Sequence, residues 1–195
     1  MNVGDVLCGD SGPKSKIYFP LSGSIALYVP GHSKASSSGL ALGLIGAEGA
    51  VGLHAALGLN ASHVQFVVQS PGQALLVEGP FVERLVKRRR VILLQFTRYL
   101  WTVFEAIADL ASRRYSQDIK LRLAYWLLLS AQRCAPDPLR LTHVQIATML
   151  GVRRASVSIA AREIKLKRYI SYSRGKITLL NVAALENLAK ANNTY

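Results

Sequence analysis

The densest chemistry in the sequence lies in residues 141 to 170, LTHVQIATMLGVRRASVSIAAREIKLKRYI. Thr142 is placed to cap a helix whose inner face is Ile146, Ala147 and Leu150. Gly151 permits a sharp turn after it, and Val152 plugs the junction. A second helix then begins near Arg153, with Val157, Ala160 and Ile164 facing inward. Its outer face carries Arg153, Arg154, Ser156, Ser158 and Arg162. Arginine at the amino-terminal end of such a helix can fork onto O6 and N7 of guanine in a major groove, and the free N–H groups there favour phosphate. Thr142, His143 and Ser156 are placed to hold phosphates nearby. The spacing therefore predicts a helix-turn-helix on double-stranded DNA. A solvated basic helix in a plain bundle would not require the cap, the turn glycine, the inward apolar spacing and the basic outer face together.

Beyond this unit, Ile170 to Tyr172, the tip Ser173-Arg174-Gly175-Lys176 and Ile177 to Leu180 read as a β-hairpin. It has the form of a wing, and Arg174 and Lys176 would meet backbone phosphate, adding affinity and salt dependence with little sequence information. Asn181 is placed to cap a last short helix, Val182 to Lys190.

Other chemistries find less support. His32, His54 and His63 with Glu48 are the one set that might converge on a metal, but no metal-ligand spacing such as a paired HxH links them. His63 falls on the polar side of its strand. Cys8 and Cys134 are far apart with no CxxC, which supports neither a disulfide framework nor a structural zinc and fits a reducing cytoplasm. There is no Ser-His-Asp order, phosphate loop or acid pair.

These side chains need a scaffold. From Ile17 to Val77 the chain is rich in Val, Ile, Leu and Gly in short alternating runs, which predicts a β-roll or barrel. Ile25, Leu27 and Val29 share one face, as do Val64, Phe66 and Val68. Pro30 to Gly39, with Ser36, Ser37 and Ser38, reads as an exposed hairpin loop. At Pro80 the apolar period changes from two to about 3.6. Pro80 opens a helix continuing through Arg88, and a basic cluster, Lys87 to Arg90, precedes a long one. In that long helix Leu93, Phe96, Leu100, Val103, Ile107 and Leu110 recur at alternating intervals of three and four, a heptad seam expected to join two copies of the chain. A second stripe, Leu94, Trp101 and Ala108, is then available to pack on the helix's own β-domain. A further helix over Gln117 to Gln132, with Leu121, Leu123, Leu127 and Leu128 in its core, ends at CAPDP, residues 134 to 138.

Composition agrees with two parts. The chain has 195 residues, 50% hydrophobic, and a formal charge of +13. Residues 116 to 195 hold 13 basic and 4 acidic side chains, a net +9, whereas residues 1 to 115 carry only +4. A polyanion is thus the expected partner of the second part. The start, MNVGDVLCGD, has no basic region before an apolar stretch and is not a secretory signal. The uncharged run Gly49 to Val77 is broken by Gly, Asn, Gln, Ser and Pro, and reads as buried strands and turns rather than a membrane span.

The segment TMLGVRRASVSIAAREIKLKRYISYSRGKITLL resembles the winged helix-turn-helix of the Crp/Fnr family of bacterial transcription regulators, and YFPLSGSIALYV resembles a strand pair and turn of its cyclic-nucleotide-binding-like β-roll. The likeness runs over nearly the whole chain. It implies an α+β protein with an amino-terminal jelly-roll sensor domain (1–88), a long dimerisation helix (89–115) and a carboxyl-terminal winged helix-turn-helix (116–195). It also implies a homodimer on palindromic double-stranded DNA, an effector of unknown identity in the roll, and RNA polymerase as a partner if the protein activates.

Arg154 matches a base-reading arginine of the family, but Ala155 and Ile159 stand where the cyclic-AMP receptor has a glutamate and a second arginine, so a different half-site is expected. Arg153 and Ser156 match positions at the backbone or groove edge. Cyclic-nucleotide binders of the family hold ribose and phosphate with a Gly-Glu pair and an arginine. Here Gly52 precedes Leu53, and no Arg or Lys lies between Lys34 and Arg84. A buried phosphodiester without a cation is costly, so this ligand is not expected. Two cysteines cannot hold an iron-sulfur cluster, which wants about four thiolates, and haem is disfavoured. No cofactor is expected. The family's leading helix and first strand look missing or shortened.

Two other function classes remain to be weighed. β-rolls also host cupin-like metal-dependent enzymes, which need the clustered ligands described above. A sensor that keeps the DNA-binding fold without using it would lack the basic residues present at Arg153, Arg154, Arg174 and Lys176.

Overall fold

The computed structural model describes residues 1–7, 15–31, 39–59, 63–116, 118–134 and 138–191. Cys8, His32 and most of the serine-rich loop lie outside them. The chain divides into two compact units, Met1–Val29 with Leu42–Asp109 and Pro30–Ala41 with Leu110–Tyr195.

The first unit is a β-roll. β1 (Val6–Leu7), β5 (Gln65–Ser70), β3 (Ser24–Pro30) and β4 (Gly39–Ile45) make a four-stranded sheet in the order β1-β5-β3-β4. β2 (Lys16–Pro20) and β6 (Ala74–Glu78) pair antiparallel as a second sheet, in register from Lys16 opposite Glu78 to Pro20 opposite Ala74. Leu7, Ile25, Ile45, Val51 and Val68 form one apolar cluster of this unit. Ile25, Ala26 and Leu27 are consecutive and all buried, so β3 is covered on both faces rather than on the one that alternation suggests. The Gly49–Val77 run holds β5 and the start of β6, as expected, and also a single helical turn, α1 (Leu53–Ala56), entered through Gly52 at φ 92.

α2 (Gly79–Arg88) starts with Pro80 in its first turn, and α3 (Arg90–Ser116) follows. A second cluster, Ile17, Ala50, Leu53, Ala56, Val82 and Val86, takes up Ile92, Phe96 and Tyr99 of α3. The Tyr99 hydroxyl donates to the Ala50 carbonyl and accepts from the Ala50 N–H, both at 3.1 Å. Phe96, one of the residues expected in the seam, thus packs partly against the core of its own chain. The side of α3 facing its β-roll is the one bearing Ile92, Phe96 and Tyr99, not the stripe of Leu94 and Trp101. Leu94, Trp101 and Phe104 are 47%, 61% and 58% exposed, and Leu93 and Leu100 are exposed beside them. Val103, Ile107 and Leu110 are half-buried.

In the second unit, α4 (Ile119–Arg133) is capped by Asp118, whose carboxylate accepts from the Lys120 N–H at 2.7 Å. The four leucines expected inside are buried, joined by Ala124 and Trp126. Against α4 pack α5 (His143–Leu150), α6 (Arg154–Leu166) and α7 (Val182–Lys190). A three-stranded sheet completes the unit: β7 (Leu139–Arg140), β9 (Lys176–Leu179) and β8 (Ile170–Ser173), in that order.

Candidate nucleic-acid interface

The helix-turn-helix is assembled from local rules. Thr142 caps α5 through a full capping box: its Oγ1 accepts from the Gln145 N–H at 3.2 Å, while the Thr142 N–H donates to Gln145 Oε1 at 2.8 Å. The Thr142 hydroxyl also donates to Gln145 Oε1 at 2.9 Å, so the cap occupies it. α5 ends at Gly151 in the left-handed region, φ 63, where a residue with a Cβ would be strained. The Arg122 guanidinium of α4 donates to the Leu150 carbonyl at that same end, satisfying one of the helix's orphan acceptors. Burial, and then the nearby Arg114 cation, lower the Arg122 pKa from its usual value.

Arg153 is the N-cap of α6, one residue before the helix proper. Val157, Ala160, Ala161 and Ile164 are buried, and Ile164 is fully so. Small alanines on this face let α6 lie close to α4 and α5. On the opposite face Arg153, Arg154 and Arg162 are exposed, Ser156 and Ser158 are half-buried, and Ile159 is 63% exposed. One carboxylate of α6, Glu163, is taken by Lys120 of α4 at 3.0 Å, which leaves the outer face with an excess of cations.

The wing turns at Arg174 (φ 47) and Gly175 (φ 75), two successive left-handed residues as a two-residue hairpin of type I′ requires. Arg174 and Lys176 are both exposed at this tip. β7, which the sequence reading missed, adds Arg140 directly opposite Lys176, and Arg140 is exposed too. Its sequence signal is only an apolar-basic pair before the capping threonine.

His143 is placed differently from a phosphate anchor on the surface. Its Nδ1 lies 3.0 Å from Ser158 Oγ on α6, and its ring stacks on Tyr172 of β8 with centroids 4.3 Å apart. Burial, and secondarily the Arg154 cation, hold its pKa below the usual imidazole value. Thr142, His143, Ser158 and the wing are thus brought together, while Arg153, Arg154, Ser156 and Arg162 line the open face of α6. The seam residues Leu93, Leu100, Val103 and Ile107 belong with Phe96 to the first unit, and Leu110 to the second. Among the described residues no three His, Cys, Asp or Glu side chains lie together in a way that could hold a metal. His54 stacks on Phe66, 6.1 Å between centroids.

Residues 121–188 match the family model described as the Crp-like helix-turn-helix domain. These residues form a Crp-like helix-turn-helix domain. The whole chain also has the fold of solved Crp/Fnr regulators. FixK2 from Bradyrhizobium japonicum superposes with a TM-score of 0.78 at 16% identity, over 97% of this chain and 94% of that one. A Crp/Fnr-family transcriptional regulator from Thermus thermophilus gives 0.75 at 22% identity, over 99% and 98%. The c-di-GMP responsive global regulator CLP of Xanthomonas campestris gives 0.68 at 14%, over 92% and 91%. No curated protein matches the sequence. The α+β architecture of a cyclic-nucleotide-binding-like roll followed by a Crp-like winged helix-turn-helix therefore stands.

Proposed function

We propose that the protein is a sequence-specific transcription regulator that binds palindromic double-stranded DNA as a homodimer. The observation that carries this reading is the outward face of α6, where Arg153, Arg154 and Arg162 stand in solvent behind a left-handed glycine turn and a boxed helix cap. Arg154, in the first turn, is the base reader, forking onto a guanine. Exposed Ile159, on the same face, suits the methyl group of a thymine. Arg174, Lys176 and Arg140 contact the phosphates flanking the groove, and Arg153 and Ser156 lie along its edge.

The second copy is supported by α3. A row of exposed Leu93, Leu94, Leu100, Trp101 and Phe104 on one side of a 27-residue helix exceeds what a soluble surface leaves uncovered. By length and composition Arg90–Tyr115 could also cross a membrane. Ile92, Phe96 and Tyr99 packed on the β-roll core favour the dimer, since they tie this helix to a folded domain. Pairing of two such helices would set two recognition helices about 34 Å apart, one turn of DNA. We further propose that the protein works in the cytoplasm, that a signal at the β-roll changes the helix pairing, and that an activating role would bring RNA polymerase as a partner.

Selection of binding sites from a random duplex pool, with Arg154→Ala in parallel at the same salt, tests the reading. A two-fold-symmetric motif that loses one defined base preference per half-site in the variant is the expected result. Uniform, salt-sensitive binding without a motif would overturn it.

A further inference from the structure

The geometry points to His143 as a positioning residue that couples the wing to the recognition helix, so that the phosphate contacts of Arg174 and Lys176 depend on it. This rests on the DNA-binding reading above and adds to it a residue that itself need not touch DNA.

Three elements meet at this one ring. His143 is the first residue of α5, and its Nδ1 is 3.0 Å from Ser158 Oγ in the middle of α6. Its plane lies 18° from that of Tyr172 in β8, at stacking distance. Around it the wing touches the same two helices again. Lys165 of α6 donates to the Tyr172 carbonyl at 3.4 Å, and a Cβ built on Gly175, at the wing tip, would meet Thr142 Cγ2 at 3.4 Å. A two-residue hairpin turn on short strands has little rigidity of its own, so its tip cations have a defined reach only if something fixes the hairpin to the helix that enters the groove.

The ring is well suited to that task and poorly suited to simple surface duty. Nε2 is buried with no hydrogen-bond partner among the described residues. Either neutral tautomer satisfies the Ser158 contact, because a hydroxyl can donate or accept. The contact also occupies the Ser158 hydroxyl from the protein side, which places Ser158 in the support of α6 rather than at its reading edge. The Arg154 cation bears on the ring, and Lys165 Nζ reaches the carbonyl of Tyr172, on which the ring stacks. A neutral, packed imidazole fits that setting.

The test is a double-mutant comparison on the full-length protein, with affinity for a selected palindromic duplex measured at several salt concentrations. In the otherwise unchanged protein, Arg174→Ala should weaken binding several-fold and lower the salt slope by about one. His143→Ala alone should lower the slope by about one to two, with the selected sequence unchanged, because the tip loses its phosphates while Arg154 keeps its base. In the His143→Ala background, Arg174→Ala should then cost less than about twofold, since coupled residues are non-additive. Tyr172→Ala breaks the same link from the wing side and should reproduce this, so it carries the comparison if His143→Ala does not fold. Equal costs of Arg174→Ala in both backgrounds, with an unchanged slope, would overturn the coupling while leaving the DNA-binding reading intact. Failure of the unmodified protein to prefer any duplex would overturn both.

Discussion

α6 and α3 each turn one face to solvent, and the two faces ask for opposite partners. α6 buries a stripe of small aliphatic residues and exposes three arginines, a surface that water solvates well and that a polyanion binds by releasing counterions. α3 buries Ile92, Phe96 and Tyr99 and leaves leucines and two large aromatics, Trp101 and Phe104, in contact at 5.4 Å, a surface that water solvates poorly. A charged face can wait for its ligand; an apolar one of this size calls for permanent cover. The difference divides the work. On the proposed reading, α6 would choose the sequence and α3 would hold the second copy.

The comparison is sharpest at the exposed aromatics. Replacing Trp101 and Phe104 together with Asp should dissociate the dimer in sedimentation velocity, because central interface aromatics contribute about 2–4 kcal/mol each, and a variant still dimeric would place the interface elsewhere. Phe96→Ala should act on the other face of the same helix. It should cost about 1–2 kcal/mol of first-unit stability in denaturant unfolding, less than for a fully buried phenylalanine because Phe96 is only partly buried, with the dimer retained. Arg154→Ala should leave stability unchanged and remove about 1–3 kcal/mol of discrimination at one base per half-site in duplex titrations.

Smaller effects follow from the supports of α6. Thr142→Ala should reduce the stability of the second unit by about 1 kcal/mol, as expected for a lost cap, read as a lower urea midpoint. The histidines give a pH dependence of known sign. Burial holds His54 and His143 below their usual pKa, with Arg154 adding to the effect at His143. The unfolded chain then binds more protons than the folded one as pH falls below about 6.5, so stability drops through that window and is fully present above it. Urea midpoints should fall between about pH 7.5 and 5.5, and His143→Phe should flatten part of that fall.

The same two helices explain what could be read from the sequence. Around α6 the local rules agreed: Thr142 with Gln145 three residues on, Gly151 at the turn, Val157, Ala160 and Ile164 on one side, and Arg174-Gly175 at the hairpin tip. α3 offers apolar residues on several faces, with helical intervals of four, three and four at Ile92, Phe96, Tyr99, Val103 and of three, four and three at Leu93, Phe96, Leu100, Val103. Periodicity then shows that there are apolar faces but not which one meets the β-roll, since Ala50, Leu53 and Val82, distant in the chain, decide it. For a similar reason β7 and the His143 stack were not legible. Leu139 and Arg140 become a strand only by pairing with β9, and His143 meets Tyr172 only once the wing has folded back.

Guanine methylation interference on a selected site, with the unmodified protein bound, tests the central claim most directly, because N7 is reached only from the major groove. The account predicts interference at two symmetric clusters about one helical turn apart, each missing its strongest position when Arg154→Ala is bound instead. Interference spread evenly along the duplex, or absent from the major groove while binding persists, would contradict it.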